Sequence, residues 1–181
     1  PYLVGAGDPD SGGFHQFEWD TQRLPDINAT LDSLRSRGFR LAVWSAAWAR
    51  NNGAGSNGAD AAELGYLAPG NSRVIDLTNP DAFQWWRQKL ETFIREYNIS
   101  AIKLDRGEEY VPSSPSDIYN DGRSGREVHN EYPVLQAKVH HDALKNSTGN
   151  DFLVLARAGY SGSQQWVASW GGDDVGTELG L

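Results

Sequence analysis

Ala-Ile-Lys-Leu-Asp-Arg-Gly-Glu-Glu, residues 101–109, is the stretch that decides the fold. A short apolar run, Ile99 to Leu104, stops at a carboxylate, Asp105, and gives way to glycine and further charge. In a parallel barrel that is where a strand ends and hands a residue to an active site. Asp173, within Ser-Trp-Gly-Gly-Asp-Asp (169–174), is placed in the same way after the strand-like Gln165 to Ser169. Two acids at the ends of two strands, 68 residues apart in the chain, suit chemistry that needs one ionised and one protonated carboxyl, as the breaking of a glycosidic bond does.

Outward from this stretch, strands and helices alternate. Tyr2 to Gly5 is a short apolar run leading into the turn-rich 7–13 loop. Ile27, Leu31 and Leu34 recur at helical spacing within Ile27 to Arg37, and Gly38 stops that helix. Phe39 to Trp44 reads as a buried strand, and Asn51 to Gly58, dense in Asn, Ser and Gly, as a flexible surface loop. Asn79-Pro80-Asp81 opens a second helix, with proline where the first turn tolerates it and Phe83, Trp86, Leu90, Phe93, Ile94 and Tyr97 on one face. Strand Ile99 to Leu104 follows, then an inserted loop over its end (110–128), a third helix from Tyr132 to Leu144, and strands Phe152 to Ala156 and Gln165 to Ser169. Repeated strand–helix–strand units of this kind predict right-handed parallel crossovers, with no linker that divides the 181 residues.

Composition narrows the function classes. With 39% hydrophobic and 11% aromatic residues the chain reads as globular. Its net charge of −8 and its scattered lysines and arginines argue against a nucleic-acid partner, which requires clustered cations to displace counterions. No apolar run approaches the roughly 20 residues of a membrane span. The absence of cysteine excludes disulfides and thiolate metal sites. The chain begins at Pro1 and contains no Met, so it is expected to be a segment of something longer. Asn28-Ala29-Thr30, Asn98-Ile99-Ser100 and Asn146-Ser147-Thr148 are three glycosylation sequons, a weak pointer towards secretion. His140 and His141 are adjacent on a helix, so their side chains point to different faces and do not share a metal.

Five motifs in order carry a family resemblance: Phe17-Glu18-Trp19-Asp20 with Leu24-Pro25-Asp26; Leu41-Ala42-Val43-Trp44; Lys103-Leu104-Asp105-Arg106-Gly107-Glu108; Leu155-Ala156-Arg157-Ala158-Gly159 with Gly162-Ser163-Gln164; and Trp170-Gly171-Gly172-Asp173. Together they resemble the central part of the catalytic barrel of glycoside hydrolase family 31, the family of α-glucosidases, α-xylosidases and sulfoquinovosidases. The resemblance implies a (β/α)8 barrel of which this chain supplies about five strands. It also implies a retaining α-glycosidase that acts on a terminal non-reducing sugar, α-xyloside or α-glucoside favoured, with no metal or organic cofactor. The expected partners are a glycoside or oligosaccharide substrate and the remainder of the barrel. A transglycosylase, a sulfoquinovosidase and an inactive sugar-binding fragment stay open as alternatives. Arg106 follows the nucleophile position where relatives often carry an aromatic residue or Met, which leaves the sugar undetermined.

Within that resemblance Asp105 is the nucleophile and Asp173 the acid/base. Lys103, two residues before Asp105 on the same strand face, offers the charge that keeps a nucleophile ionised. Asp174 and Trp170 beside Asp173 supply a like charge and an apolar wall, both of which raise a carboxyl pKa; Asp174 is the rival for the role. The resemblance further puts Trp44, Lys103, Arg157 and Trp170 around the non-reducing sugar, and Asp8 on its distal hydroxyls. Plain packing suits Trp44 equally well, and a turn role suits Asp8. Arg157 interrupts an apolar strand, so it needs an acid, Asp105 or Glu108, for company.

Overall fold

The structure is a computed structural model that describes residues 17–49, 51 and 53–172. Its centre is a parallel sheet of four strands in sequential order: β1 (Leu41–Ser45), β2 (Ile99–Leu104), β3 (Leu153–Ala156) and β4 (Ala168–Ser169). Register is direct, with Trp44, Lys103 and Leu155 abreast in one row and Val43, Ile102 and Val154 in the neighbouring one. Such an order, with helical crossovers between the first three strands, is part of a (β/α)8 barrel wall. The expected strand Tyr2 to Gly5 lies outside the described residues.

Each long helix begins and ends for a local reason. In α1 (Ile27–Ser36), the Asp26 carboxylate caps the first turn by accepting from the Ala29 amide at 2.9 Å. Leu31 is fully buried, whereas Leu34 is 39% exposed, so this helix packs along a narrower stripe than its spacing predicts. In α3 (Pro80–Tyr97), Asn79 caps the start, Pro80 takes the first turn, and Asn98 ends the helix in the left-handed region at φ 45°. Its inward stripe, Ala82, Trp86, Leu90, Phe93 and Ile94, is fully buried. Each large side chain there contributes about 1.5–3 kcal/mol through removal from water. Trp86 and Trp85 pack against each other at 5.7 Å, and the Trp86 ring also meets Phe17; Trp86 belongs to the core and the half-buried Trp85 packs against it. In α5 (Tyr132–Thr148), Tyr132, Gln136, His140 and Leu144 recur every fourth residue on the buried face.

Three local expectations are corrected. Residues 51–58 are not wholly a surface loop: Asn57–Glu63 is a helix, α2, and Ser56, Asn57 and Gly58 are buried. Ser56 caps it by accepting from the Ala59 amide, and Ala61 then enters the core, which gives the polar sequence an interior to fold against. The strand expected from Phe39 starts at Leu41, and Phe39 before it is 62% exposed. The strand expected over Gln165 to Ser169 is only Ala168–Ser169, because Ser163–Gln165 forms a 3₁₀ turn in place of extended chain.

Residues 110–128 carry packing of their own. Val111, Tyr119 and Val128 are buried, and the Tyr119 hydroxyl donates to the Pro112 carbonyl. The Asn120 amide donates to the buried Asp76 carboxylate at 2.9 Å. A short helix, α4 (Gly125–Val128), closes the segment behind a Ser124–Glu127 capping box. No helix among the described residues is long and apolar enough to cross a membrane.

Candidate active site

Alternation along the strands sends Lys103 and Asp105 to the sheet face that the helices leave open, together with Trp44 from β1 and Arg157 just beyond β3. The chain turns sharply after Asp105: Arg106 has φ 57°, and Gly107 has no room for a side chain. A Cβ there would stand 2.9 Å from Gln136 Oε1 and 3.1 Å from the Ala158 Cβ. This close approach is the physical reason for glycine two positions after the acid.

Asp105 is 6% exposed, and donors surround its carboxylate. Trp44 Nε1 donates to Oδ2 at 2.9 Å, and Lys103 Nζ to the same oxygen at 2.8 Å. Oδ1 accepts from the Arg106 amide at 3.0 Å and pairs with Arg157 Nε at 3.0 Å. Burial works against ionisation of this carboxyl, but the hydrogen bonds from Lys103 and Trp44 and the charges of Arg157 and Lys103 outweigh it. Its pKa lies below the usual carboxylate range. Asp105 is therefore a carboxylate, rather than a carboxylic acid, at neutral pH.

Arg157 is compensated as the sequence requires, and more fully than expected. Besides Asp105 it meets Glu108 at 2.5 Å and Glu109 at 2.8 Å. Burial opposes its charge, and the bond to Glu109 with the charges of Asp105 and Glu108 restores it, so its pKa is raised. Glu109 also takes Arg106 at 2.5 Å, so one carboxylate ties two arginines together. Trp170, anchored by its amide on the Ala156 carbonyl, lies under the Lys103 ammonium at 4.7 Å from its ring centre. Four of the expected sugar-binding residues thus meet around Asp105: Trp44, Lys103, Arg157 and Trp170. Asp8, Asp173 and its rival Asp174 lie outside the described residues.

A buried polar set behind Asp105 was not anticipated. The Asp105 amide donates to the Ser45 carbonyl at 2.9 Å, and Gln136 Nε2 donates to the Asp105 carbonyl at 2.7 Å. His140 Nδ1 stands 2.8 Å from the Gln136 carbonyl, which can only accept, so that nitrogen carries the hydrogen. Nε2 is then the acceptor for the Ser45 hydroxyl at 2.9 Å. Burial lowers the His140 pKa to about 4, with the bond to Gln136 opposing the shift, so the ring is neutral. The signal was present in the sequence: two of the four residues on the 132–136–140–144 stripe are polar, and a polar residue on a buried stripe needs a partner. His141 instead packs its ring edgewise on Phe152 and Trp166. Among the described residues no three His, Cys, Asp or Glu side chains gather to hold a metal ion.

Known proteins resemble the chain throughout. The profile of the glycosyl hydrolases family 31 TIM-barrel domain matches residues 1–179. A 1,3-alpha-isomaltosidase of Kribbella flavida is 28% identical over 84% of this chain and 23% of its own length. The sulfoquinovosidase of Escherichia coli is 28% identical over 87% of this chain and 25% of its own. Among solved structures, a sulfoquinovosidase of E. rectale in complex with an aza-sugar inhibitor superposes with a TM-score of 0.78 at 26% identity, covering 89% of this chain and 26% of that one. A cycloalternan-degrading enzyme of Trueperella pyogenes in complex with a covalent intermediate gives 0.72 at 25% identity, over 84% of this chain and 23% of that one. The chain spans about a quarter of the length of these curated relatives. With the family profile matched over nearly its whole length and a parallel sheet of the kind that profile describes, the chain belongs to glycosyl hydrolase family 31 as part of its TIM-barrel domain.

Proposed function

We propose that this chain forms the nucleophile side of a retaining α-glycosidase. The observation that carries the reading is the Asp105 carboxylate, at the carboxyl end of a barrel strand and held ionised by Trp44, Lys103 and Arg157. In the first step an Asp105 oxygen attacks the anomeric carbon, the bond from that carbon to the leaving oxygen breaks, and Asp173 gives its proton to that oxygen. In the second step Asp173 takes a proton from water, the water oxygen attacks the anomeric carbon, and the ester to Asp105 breaks to restore the carboxylate. Trp44 and Trp170 cover the apolar side of the pyranose, and the cations donate to its hydroxyls.

Three hydrogen bonds and the Arg157 ion pair hold the carboxylate, so attack is eased when one donor withdraws. Lys103 is the donor free to do so, because its side chain is 43% exposed while Arg157 is 17%. Substrate hydroxyls then take over its hydrogen bonds. An α-xyloside or α-glucoside is the favoured substrate, and the remaining strands of an eight-stranded barrel complete the site. The covalent intermediate named for the T. pyogenes relative supports a double displacement.

The test is to incubate the protein that carries this chain with fluorinated α-glycosides that stall the second step, then to map the labelled peptide by mass spectrometry. The expected site of labelling is Asp105, and label on any other residue overturns the assignment.

A further inference from the structure

We propose that Tyr110 is a stacking platform for the leaving-group sugar, which makes the natural substrate a glycoside with a sugar, rather than a small alcohol, on the far side of the scissile bond. This rests on the glycosidase reading and extends it. Tyr110 lies in the loop that begins at Asp105, and the residue is 55% exposed, which is unusual for an aromatic residue held this firmly. It is one of the few non-glycine residues with positive φ, at 60°, a conformation that costs about 1–3 kcal/mol unless its surroundings enforce it.

The surroundings do enforce it. Asn71 Nδ2 donates to the Tyr110 carbonyl at 2.8 Å, Trp48 meets the ring edgewise at 5.3 Å, and the Arg73 guanidinium lies 4.8 Å from the ring centre. Trp48 in turn lies under Arg106, the residue next to Asp105, at 5.4 Å. The ring is thus tied through two contacts to the turn that carries the nucleophile, on the same end of the sheet. With the Arg73 guanidinium over one face of the ring, the opposite face suits a second pyranose, whose C–H side stacks on it.

Tyr110→Asn removes the ring and keeps a residue at ease with positive φ, and Tyr110→Phe keeps the ring. Both variants and the parent are assayed on α-glycosyl fluorides, which have no sugar leaving group, and on disaccharides of the same glycosyl unit. Tyr110→Asn is expected to lose about tenfold in kcat/KM on the disaccharide, mainly through KM, and to stay within about twofold on the fluoride. Tyr110→Phe is expected to match the parent on both. Equal loss on the two substrates, or no loss on the disaccharide, overturns the platform. A parent protein that cleaves no fluoride overturns the glycosidase reading itself, and the platform with it.

Discussion

One face of the sheet carries Val43, Ser45, Ile102, Leu104, Val154 and Ala156, each at most 9% exposed beneath the helices. The other carries Trp44, Lys103 and Leu153, with Asp105 and Arg157 continuing the same rows at the strand ends. Leu153 there is 49% exposed. The strands are the same and the alternation is the same, yet one face is closed by packing while the other is organised around charge. The helix-covered face is where stability comes from, because its side chains exchange water for close neighbours. The open face holds a carboxylate and two cations that are tolerable only because they compensate one another, so its cost is borne by the packing behind it.

The largest effect that would break this division is on turnover. Asp105→Asn is expected to lower kcat by several orders of magnitude, on the scale of losing a nucleophile. Its melting temperature should change little by comparison, since the lost charge relieves burial while leaving Lys103 and Arg157 less compensated. A variant with near-parental kcat on an aryl α-glycoside would remove chemistry from the open face.

Next in size is a cavity on the closed face. Ile102→Ala is expected to cost about 2–5 kcal/mol in denaturant unfolding, since Ile102 is 1% exposed under the helices. A loss below about 1 kcal/mol would show that the helices do not seat on this face as described.

The buried histidine sharpens the comparison through pH. The folded pKa of His140, about 4, lies below its ordinary value of 6.5, so the unfolded chain binds the proton first as pH falls. The stabilisation is full above about pH 6.5 and is lost as pH drops towards 4, on the order of 3 kcal/mol in all. His140→Gln is expected to flatten that part of the curve of melting temperature against pH. An unchanged acid slope would mean that other groups set it.

Much of the site was legible because it is local. Lys103 and Asp105 are two residues apart on one strand, and extended chain puts such residues on the same side whatever surrounds them. The need of Arg157 for an acid followed from its place in an apolar strand, although its bond to Glu109 did not, since that depends on the turn that Arg106 makes at positive φ. Residues 56–58 misled for the same kind of reason. Ser, Asn and Gly favour loops in isolation, and only the core that Ala61 enters makes them the start of a helix.

By itself the sequence determined the alternation of elements, the caps of the helices beginning at residues 27 and 80, the apolar stripe of α3, and the acid at the end of its strand. These depend on periods of two and of 3.6 residues and on side chains that bond their own backbone, and so are written within a few positions of one another. Tertiary structure alone decided that Trp44, from a strand some sixty residues earlier, donates to Asp105, and that Ser45 and Gln136, with His140 bonded to both, hold the Asp105 backbone from behind. Those contacts depend on strand register and on how α5 seats against the sheet. Both are fixed by the packing of the whole core at once, which no local spacing encodes.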